Sequence, residues 1–458
     1  MKIVVCIRQG LDGEINPFDA CAYEAALQIN GAEVTLLSMG PQSASELLLQ
    51  LTRLGAPQAI LLSDKAFAGA DTLATAYALS KAIEKLSPDL VFCGRQTLVG
   101  DTAQTGPMLA TLAGYSLITN VMQIDSLEES SVICTTRTEG RFAASLPALL
   151  TIERINTLRL PRLRSKLGEV TVWNAADVGA DTAKCGLQGS PTRVLKTFEN
   201  EAGKRRCKFI SRSELDAVIS EALQKERDRV TVAGTENAQK LPRVCTVTDA
   251  PRQFAETVSD DVTVLPLTDA QTIAAQIVEQ KPNAVLWGSD AKSKRVAAEV
   301  AATLSLGLCA DCTRLEADGN TLLMYRPALS GSIIAKIHSL TTPAMATVRT
   351  EDGATKDIIV GVGYGVKDRL DELRAFADAH NAELAATRKM TDNAITPYAW
   401  QVGLTGKTVA PPVYIAVGIS GAVHHIVGME RAGTVIAINP DKNAPIFDYA
   451  DYGIMEEF

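Results

Sequence analysis

The sequence predicts an α/β protein made of doubly wound parallel sheets, two related domains followed by a third. Three observations carry this expectation. Short apolar runs alternate with amphipathic segments from the first residue onward, the pattern of parallel strands joined by helical crossovers. Residues 88–94 (PDLVFCG) return as residues 282–288 (PNAVLWG), each followed by an Ala-rich helix and then by paired strands ending in SLPALLTI or SLTTPAMATV. Near the end, residues 413–439 form a strand, helix, strand unit with glycines and polar residues at the strand ends, where open α/β sheets take their ligands.

In order, residues 1–9 predict a strand, 19–29 a helix, 33–38 a strand, 43–54 a helix, 59–62 a strand, 71–86 a helix and 90–94 a strand. The loop after it, residues 94–107 (GRQTLVGDTAQTGP), leads into a helix near Pro107. Its hydroxyls and backbone N–H groups suit a phosphate, and ordinary capping by Thr105 or Asp101 explains the same residues. Two strands are expected within 131–151, followed by a basic segment, Arg154 and INTLRLPRLRSK, whose plain reading is a solvated loop. Between 179 and 243 periodicity falters and charges cluster, with a clear amphipathic helix only at 211–224. The α/β pattern then resumes. In the second copy SDAKSKR (289–295) replaces the polar loop, so this copy should pack rather than bind. The expected domains are 1–190, 191–350 and 351–458, with a polar hinge at 349–356 (RTEDGATK).

Composition narrows the function. The chain has 458 residues, 46% of them hydrophobic, enough apolar material for about three domains. A net charge of −8 argues against nucleic acid as a partner. No apolar run approaches the roughly 20 residues of a membrane span, and Met1 leads directly into a strand without a signal peptide, so a cytoplasmic protein is expected. Nine scattered cysteines are not a disulfide framework, and the one tight pair, Cys309 and Cys312, has no second pair or histidine nearby to suggest a metal site; none is expected.

The stretch with most chemistry is 401–439. A buried strand, VYIAV (413–417), runs into Gly418, Ser420 and Gly421 before a periodic segment at 422–429. Such a turn gathers unpaired N–H groups at one point, which is how an α/β sheet receives a pyrophosphate. A tight turn with no ligand remains open on the glycines alone.

The wording of the segment goes further. QVGLTGKTVAP, YIAVGISGAVHH, AINPDKNAPIF and ADYGI occur in the order found in the FAD-binding domain of the α subunit of electron-transfer flavoproteins, and residues 357–458 resemble that domain throughout. The resemblance implies a C-terminal Rossmann-like FAD-binding domain. It assigns Val402, Gly403, Leu404, Thr405, Ser420, Gly421, Ala422, Val423, His424 and His425 to the flavin and its pyrophosphate, and Asn439 to the adenosine half. It makes His425 a donor near flavin N1 and the C2 carbonyl, stabilising negative charge gained on reduction. It makes Thr405 a hydroxyl near N5 and Arg388, beside Thr387, a positive charge over the ring. Two positions depart from the family: Leu404 replaces a usual glutamine, and Tyr364 (VGYG) stands where an arginine reaches the FAD phosphates. Either FAD binds more weakly or another cation substitutes.

Residues 15–26 (INPFDACAYEAA) and the 94–107 loop are similar to the β subunit of the same family. The first two domains then have the adenine-nucleotide α-hydrolase-like fold, and Cys6, Asn16, Gly94, Asp101, Thr102, Gln104 and Thr105 would hold a second nucleotide, AMP or FAD. The LP at Leu160 and Pro161 corresponds to a segment whose leucine docks into partner dehydrogenases. The resemblance as a whole implies a single chain equivalent to the usual αβ heterodimer. It would carry electrons through FAD between flavin dehydrogenases, such as acyl-CoA dehydrogenases, and a downstream acceptor. The alternative is an electron-bifurcating form whose second FAD oxidises NADH.

Overall fold

The computed structural model describes residues 1–10, 13–97, 100–153, 156–199, 204–228, 240–329, 333–349 and 356–458. The chain forms two compact units, one of residues 1–197, 238–329 and 335–348, the other of 198–237, 330–334 and 349–458. Arg154 and residues 350–355 of the expected hinge lie outside the described residues.

Nine strands make the first sheet: β1 (Lys2–Cys6), β2 (Glu33–Met39), β3 (Gln58–Leu62), β4 (Leu90–Gly94), β5 (Ser116–Leu127), β6 (Ser131–Thr136), β7 (Arg141–Ser145), β8 (Ala148–Ile152) and β9 (Glu169–Trp173). Their order is β7-β6-β5-β8-β4-β1-β2-β3-β9. The middle strands β8 and β4 are covered on both faces, so they read as unbroken apolar runs rather than as alternation. Because the chain winds from β1 to β2 and β3 on one side and then crosses to β4 on the other, the topological switch point falls between β1 and β4. The region around 131–151 holds three strands instead of two. The twelve-residue β5 escapes sequence reading because its buried positions, Ile118 to Val121, are consecutive and include the polar Thr119 and Asn120 instead of alternating with exposed ones.

The internal echo is physical. Strands β10 (Thr192–Glu199) and β11 (Lys208–Phe209) lead out of the first half; β12 (Val244–Val247), β13 (Val262–Leu265), β14 (Ala284–Trp287), β15 (Leu308–Cys312), β16 (Arg314–Asp318), β17 (Thr321–Ala328), β18 (Ile333–Ser339) and β19 (Ala344–Val348) follow. Five form a parallel sheet, β13-β12-β14-β19-β15, and four a smaller one, β10-β18-β17-β16. In the first copy the left-handed Asn120 donates its N–H to Thr151 Oγ1 (3.0 Å); in the second the left-handed Asp311 donates to Thr347 Oγ1 (2.8 Å). The corresponding helices, Thr105–Ala113 and Ala291–Leu304, pack on each other and merge the two cores, with Met108, Leu109, Val296 and Val300 in one apolar cluster. Asp290 caps the second helix by accepting from Ser293 N at 2.9 Å, an interaction of about 1 kcal/mol.

The second unit is one six-stranded parallel sheet. Its strands β20 (Ile358–Val362), β21 (Glu383–Ala386), β22 (Val413–Val417), β23 (Thr434–Ile438) and β24 (Tyr452–Ile454) join β11 in the order β11-β24-β23-β22-β20-β21. The unit therefore extends beyond 351–458. The charged junction supplies β11 and the Leu215–Asp228 helix, whose Leu215, Val218, Ile219 and Ala222 enter the core with Val360, Ile415 and Phe458. A capping box precedes that helix, Ser211 with Glu214, whose carboxylate accepts Ser211 N at 2.8 Å. Arg349, expected in the hinge, is buried in this unit. Among the described residues no helix is long and apolar enough to cross a membrane.

Candidate nucleotide sites

At the switch point of the nine-stranded sheet the ends of β1 and β4 are tied together by Asp19, whose carboxylate accepts from Arg8 N (2.8 Å) and Gly94 N (3.1 Å). Burial pushes this carboxyl up to about 7, against the opposing pull of those two N–H groups. A pocket opens there, lined by Cys6, Arg8, Asp19, Cys93, Gly94, Arg95, Gln96, Thr97, Thr102 and Thr105. Of the residues expected from sequence, Cys6, Gly94, Thr102 and Thr105 face it. Asn16, Asp101 and Gln104 are buried behind the lining: Asn16 Nδ2 donates to Gln96 O (3.0 Å) and Gln96 Nε2 to Asp101 Oδ1 (2.6 Å). Neither Thr105 nor Asp101 caps the helix that begins there, because Gln104 occupies the cap position without a side-chain bond. Two backbone amides of the loop are already used: Gly100 N donates to Thr97 Oγ1 (3.2 Å) and Asp101 N to Thr97 O (3.0 Å). Asp101 and Ala103 both adopt left-handed conformations, at about 1 kcal/mol or more each, strain of the kind that collects at binding loops. Arg8, Asp19 and Arg95 were not found from sequence; the signal for Arg8 and Arg95 was their position just past the two strands that flank the switch point, and Asp19 lies in the first turn of the helix Pro17–Leu27. Arg95 is fixed by the fully buried Glu153 at 2.9 Å.

In the second unit β20 is followed by β21 on one side and, after a longer excursion, by β22 on the other, so its switch point lies between β20 and β22. The turns leaving those strands touch. Gly365 N donates to Gly418 O (3.3 Å), and a Cβ on Gly363 would fall 2.0 Å from that same oxygen. Gly418 (φ 61) and Gly421 (φ 93) hold the turn open in a conformation side chains rarely allow. The helix beyond it is a single turn, Val423–Ile426, shorter than the expected 422–429, so backbone N–H groups rather than a summed helix dipole are what the turn offers. Ser420 and Ala422 are exposed there and Val423 half-buried.

His425 is buried, with Nδ1 3.1 Å from Val402 O and Nε2 3.0 Å from the Tyr414 hydroxyl. Facing a carbonyl, Nδ1 must carry the proton and Nε2 then accepts from Tyr414. The expected donor to a flavin thus has no N–H left over in this arrangement. Burial lowers its pKa to about 4, so the ring is neutral at pH 7. His424 is half-buried and also lowered, first by burial and then by the nearby Arg388. Arg388 is held by Asp392 at 3.1 Å. Leu404 N donates to His424 O (2.6 Å), which, with Gly403 at φ 135, clamps the VGLTG turn on the histidine turn. Thr405 Oγ1 accepts from Gln401 Nε2 (2.7 Å), leaving its own proton to donate. Beneath the turn the buried Arg349 donates to Leu404 O (2.8 Å) and Thr408 Oγ1 (3.2 Å), a support that sequence reading missed. Asn439 is spent on the loops: Nδ2 donates to Ile419 O (2.9 Å) and Oδ1 accepts from Asp441 N (2.9 Å).

The sequence matches the electron transfer flavoprotein domain over residues 3–178 and 218–356, more than half of the chain. The chain belongs to the electron transfer flavoprotein family. The electron transfer flavoprotein FAD-binding domain matches residues 354–430, the strands and turns of the second switch point. Similar proteins include Protein FixA of Azorhizobium caulinodans, 40% identical over 242 residues (48% of this chain and 86% of that protein). The electron transfer flavoprotein β subunits of Thermoanaerobacterium thermosaccharolyticum and Megasphaera elsdenii are 42% and 40% identical, each over 42% of this chain and 78% of the relative. These relatives cover the N-terminal half, so the chain joins a β-like part to an α-like part. The geometry of the second unit fits FAD: besides the open glycine turn, Thr387 Oγ1 is buried with no hydrogen-bond partner among the described residues, next to Arg388 at the end of β21.

Proposed function

We propose that this chain carries electrons in the cytoplasm between flavin dehydrogenases, such as acyl-CoA dehydrogenases, and a downstream acceptor. FAD is held by the second unit and a second nucleotide, AMP or FAD, by the Cys6–Thr105 pocket. The observation that carries the reading is that two separate α/β sheets each have polar, glycine-bearing turns at the switch point between parallel strands, where such sheets bind nucleotides. Bound FAD supplies one-electron redox chemistry, and no substrate bond is made or broken. The chain's own residues bind and tune. Arg388 places positive charge beside His424, favouring an electron-rich ring, and Thr405 offers a hydroxyl proton. Leu160 and Leu163 project almost fully exposed beyond the ion pair of Arg159 with Glu24 (2.8 Å), the geometry of an apolar docking arm on a fixed base.

A second reading is the bifurcating form, in which another FAD in the first unit oxidises NADH and the electron pair is split between two acceptors. The presence of both Arg8 and Arg95 in the lining of that pocket, two guanidinium donors of the kind that bind phosphate oxygens, supports it. Denaturing the purified protein and counting released flavin and AMP separates the cases. One FAD and one AMP per chain is the result expected of the carrier, two FAD that of the bifurcating form, and no FAD overturns both.

A further inference from the structure

Tyr364 sits at the C-terminal end of β20 in the turn that touches Gly418 across the second unit's switch point. Two ammonium groups rest on its ring: Lys389 Nζ at 4.1 Å and Lys367 Nζ at 5.0 Å from the centroid. Other cations of this unit are each paired with a carboxylate, Arg388 with Asp392 (3.1 Å), Lys407 with Glu383 (2.8 Å) and Arg369 with Glu372. Lys367 and Lys389 have no carboxylate partner among the described residues. With both ammonium groups this close to one centroid they are at most about 9 Å apart, a separation of about one Debye length, and they repel, a cost that a nearby anion lowers. The contact with the ring face favours each ammonium by only about 0.5–1 kcal/mol at an exposed site, enough to aim a flexible side chain and too little to discharge it.

We propose that Lys389, seconded by Lys367 and aimed by the Tyr364 ring, is the cation that neutralises the pyrophosphate of FAD at the β20–β22 crevice. The proposal rests on the reading of this unit as the FAD site. It assigns Tyr364 a use: an aromatic platform that brings a lysine from the turn after β21 to the place where the strands diverge. A lysine is a point charge without the fixed fork of arginine, so the contact should act mainly through charge and depend on salt.

The test uses the full chain freed of flavin and titrated with FAD and, separately, with riboflavin, which lacks the phosphates. Lys389→Gln should weaken FAD about 3- to 5-fold at low salt and Lys367→Gln about 2-fold, as expected for exposed charge contacts. The fall of FAD affinity with salt should become shallower in Lys389→Gln, and riboflavin binding should not change. Lys389→Arg should retain wild-type affinity, and Tyr364→Leu should weaken FAD with Lys389 intact. Tyr364→Arg in the Lys389→Gln protein should recover FAD binding. FAD affinity and salt dependence unchanged in Lys389→Gln would overturn the assignment, as would equal weakening of FAD and riboflavin, which would mark a structural effect. A wild-type protein that takes up riboflavin-sized ligands but no FAD, or no flavin at all, would overturn the cofactor reading itself and this assignment with it.

Discussion

At His425 a buried imidazole is held between a carbonyl and a phenol, and its pKa of about 4 makes it a measurable burden at low pH. An unfolded histidine binds a proton near 6.5 while the folded one refuses it until about 4. Between those values the unfolded chain holds more protons, so the stability due to the neutral ring is complete above 6.5 and lost as pH falls towards 4. The loss is at most about 3 kcal/mol. Urea unfolding at pH 7.5 and 4.5 should show wild type losing more stability than His425→Gln over that interval. Equal losses in the two proteins would place the titration elsewhere. Tyr414 needs its own room: a Cβ on Gly361 would stand 2.1 Å from the Tyr414 hydroxyl, so the glycine of β20 and the phenol of β22 are matched. Histidine and motif were both visible in the sequence, but the phenol that occupies Nε2 was not, because Tyr414 reads there as one more apolar strand residue.

Among the elements, the parallel strands were the most legible. β4, β20 and β22 are short, buried on both faces and bounded by glycine or a polar residue, so composition and position agree. The charged junction was legible only in part. Its amphipathic pattern announced a helix at 211–224, but nothing local says which sheet the Leu215–Asp228 helix covers. The core contacts of Ile219 with the second unit decide it. Ile219→Ala should cost that unit about 2–4 kcal/mol, the usual range for truncating a buried aliphatic side chain. Hydrogen exchange should show protection lost in β20, β22 and β23 and retained in β1, β4 and β8. Loss confined to the first sheet would show that the helix belongs there.

For the molecule as a whole, the proposed carrier role makes the arm at 156–167 a separate device from the two nucleotide crevices. Leu163 is 100% exposed and Leu160 87%, an arrangement that gains nothing for folding. Replacing both by alanine should leave melting temperature and flavin content unchanged. Each leucine buried in an interface is worth about 1.5–3 kcal/mol, so flavin reduction by a donor dehydrogenase should slow at least about tenfold under subsaturating conditions. An unchanged rate with the donor would remove the docking role. Glu24 was visible only as a helix residue, and its pairing with Arg159 joins positions 135 apart in the chain, a separation beyond any local pattern.

By itself the sequence determined the α/β class, the alternation of elements, the internal duplication and the family, because each is written in local period, in turn residues or in an ordered run of motifs. Tertiary structure alone decided how the segments are shared out. The two related α/β copies merge into one unit because the helices after β4 and β14 bury the same kind of face on each other. The junction's β11 joins the sheet of the second unit, where it pairs with β24, about 240 residues away in sequence and so beyond any local pattern. It also decided which polar groups meet: Arg8, Asp19 and Arg95 at one strand divergence, and Lys389 over Tyr364 at the other. Those meetings depend on where parallel strands end in space, and strand order, which sets those ends, leaves no mark in the spacing of residues along the chain.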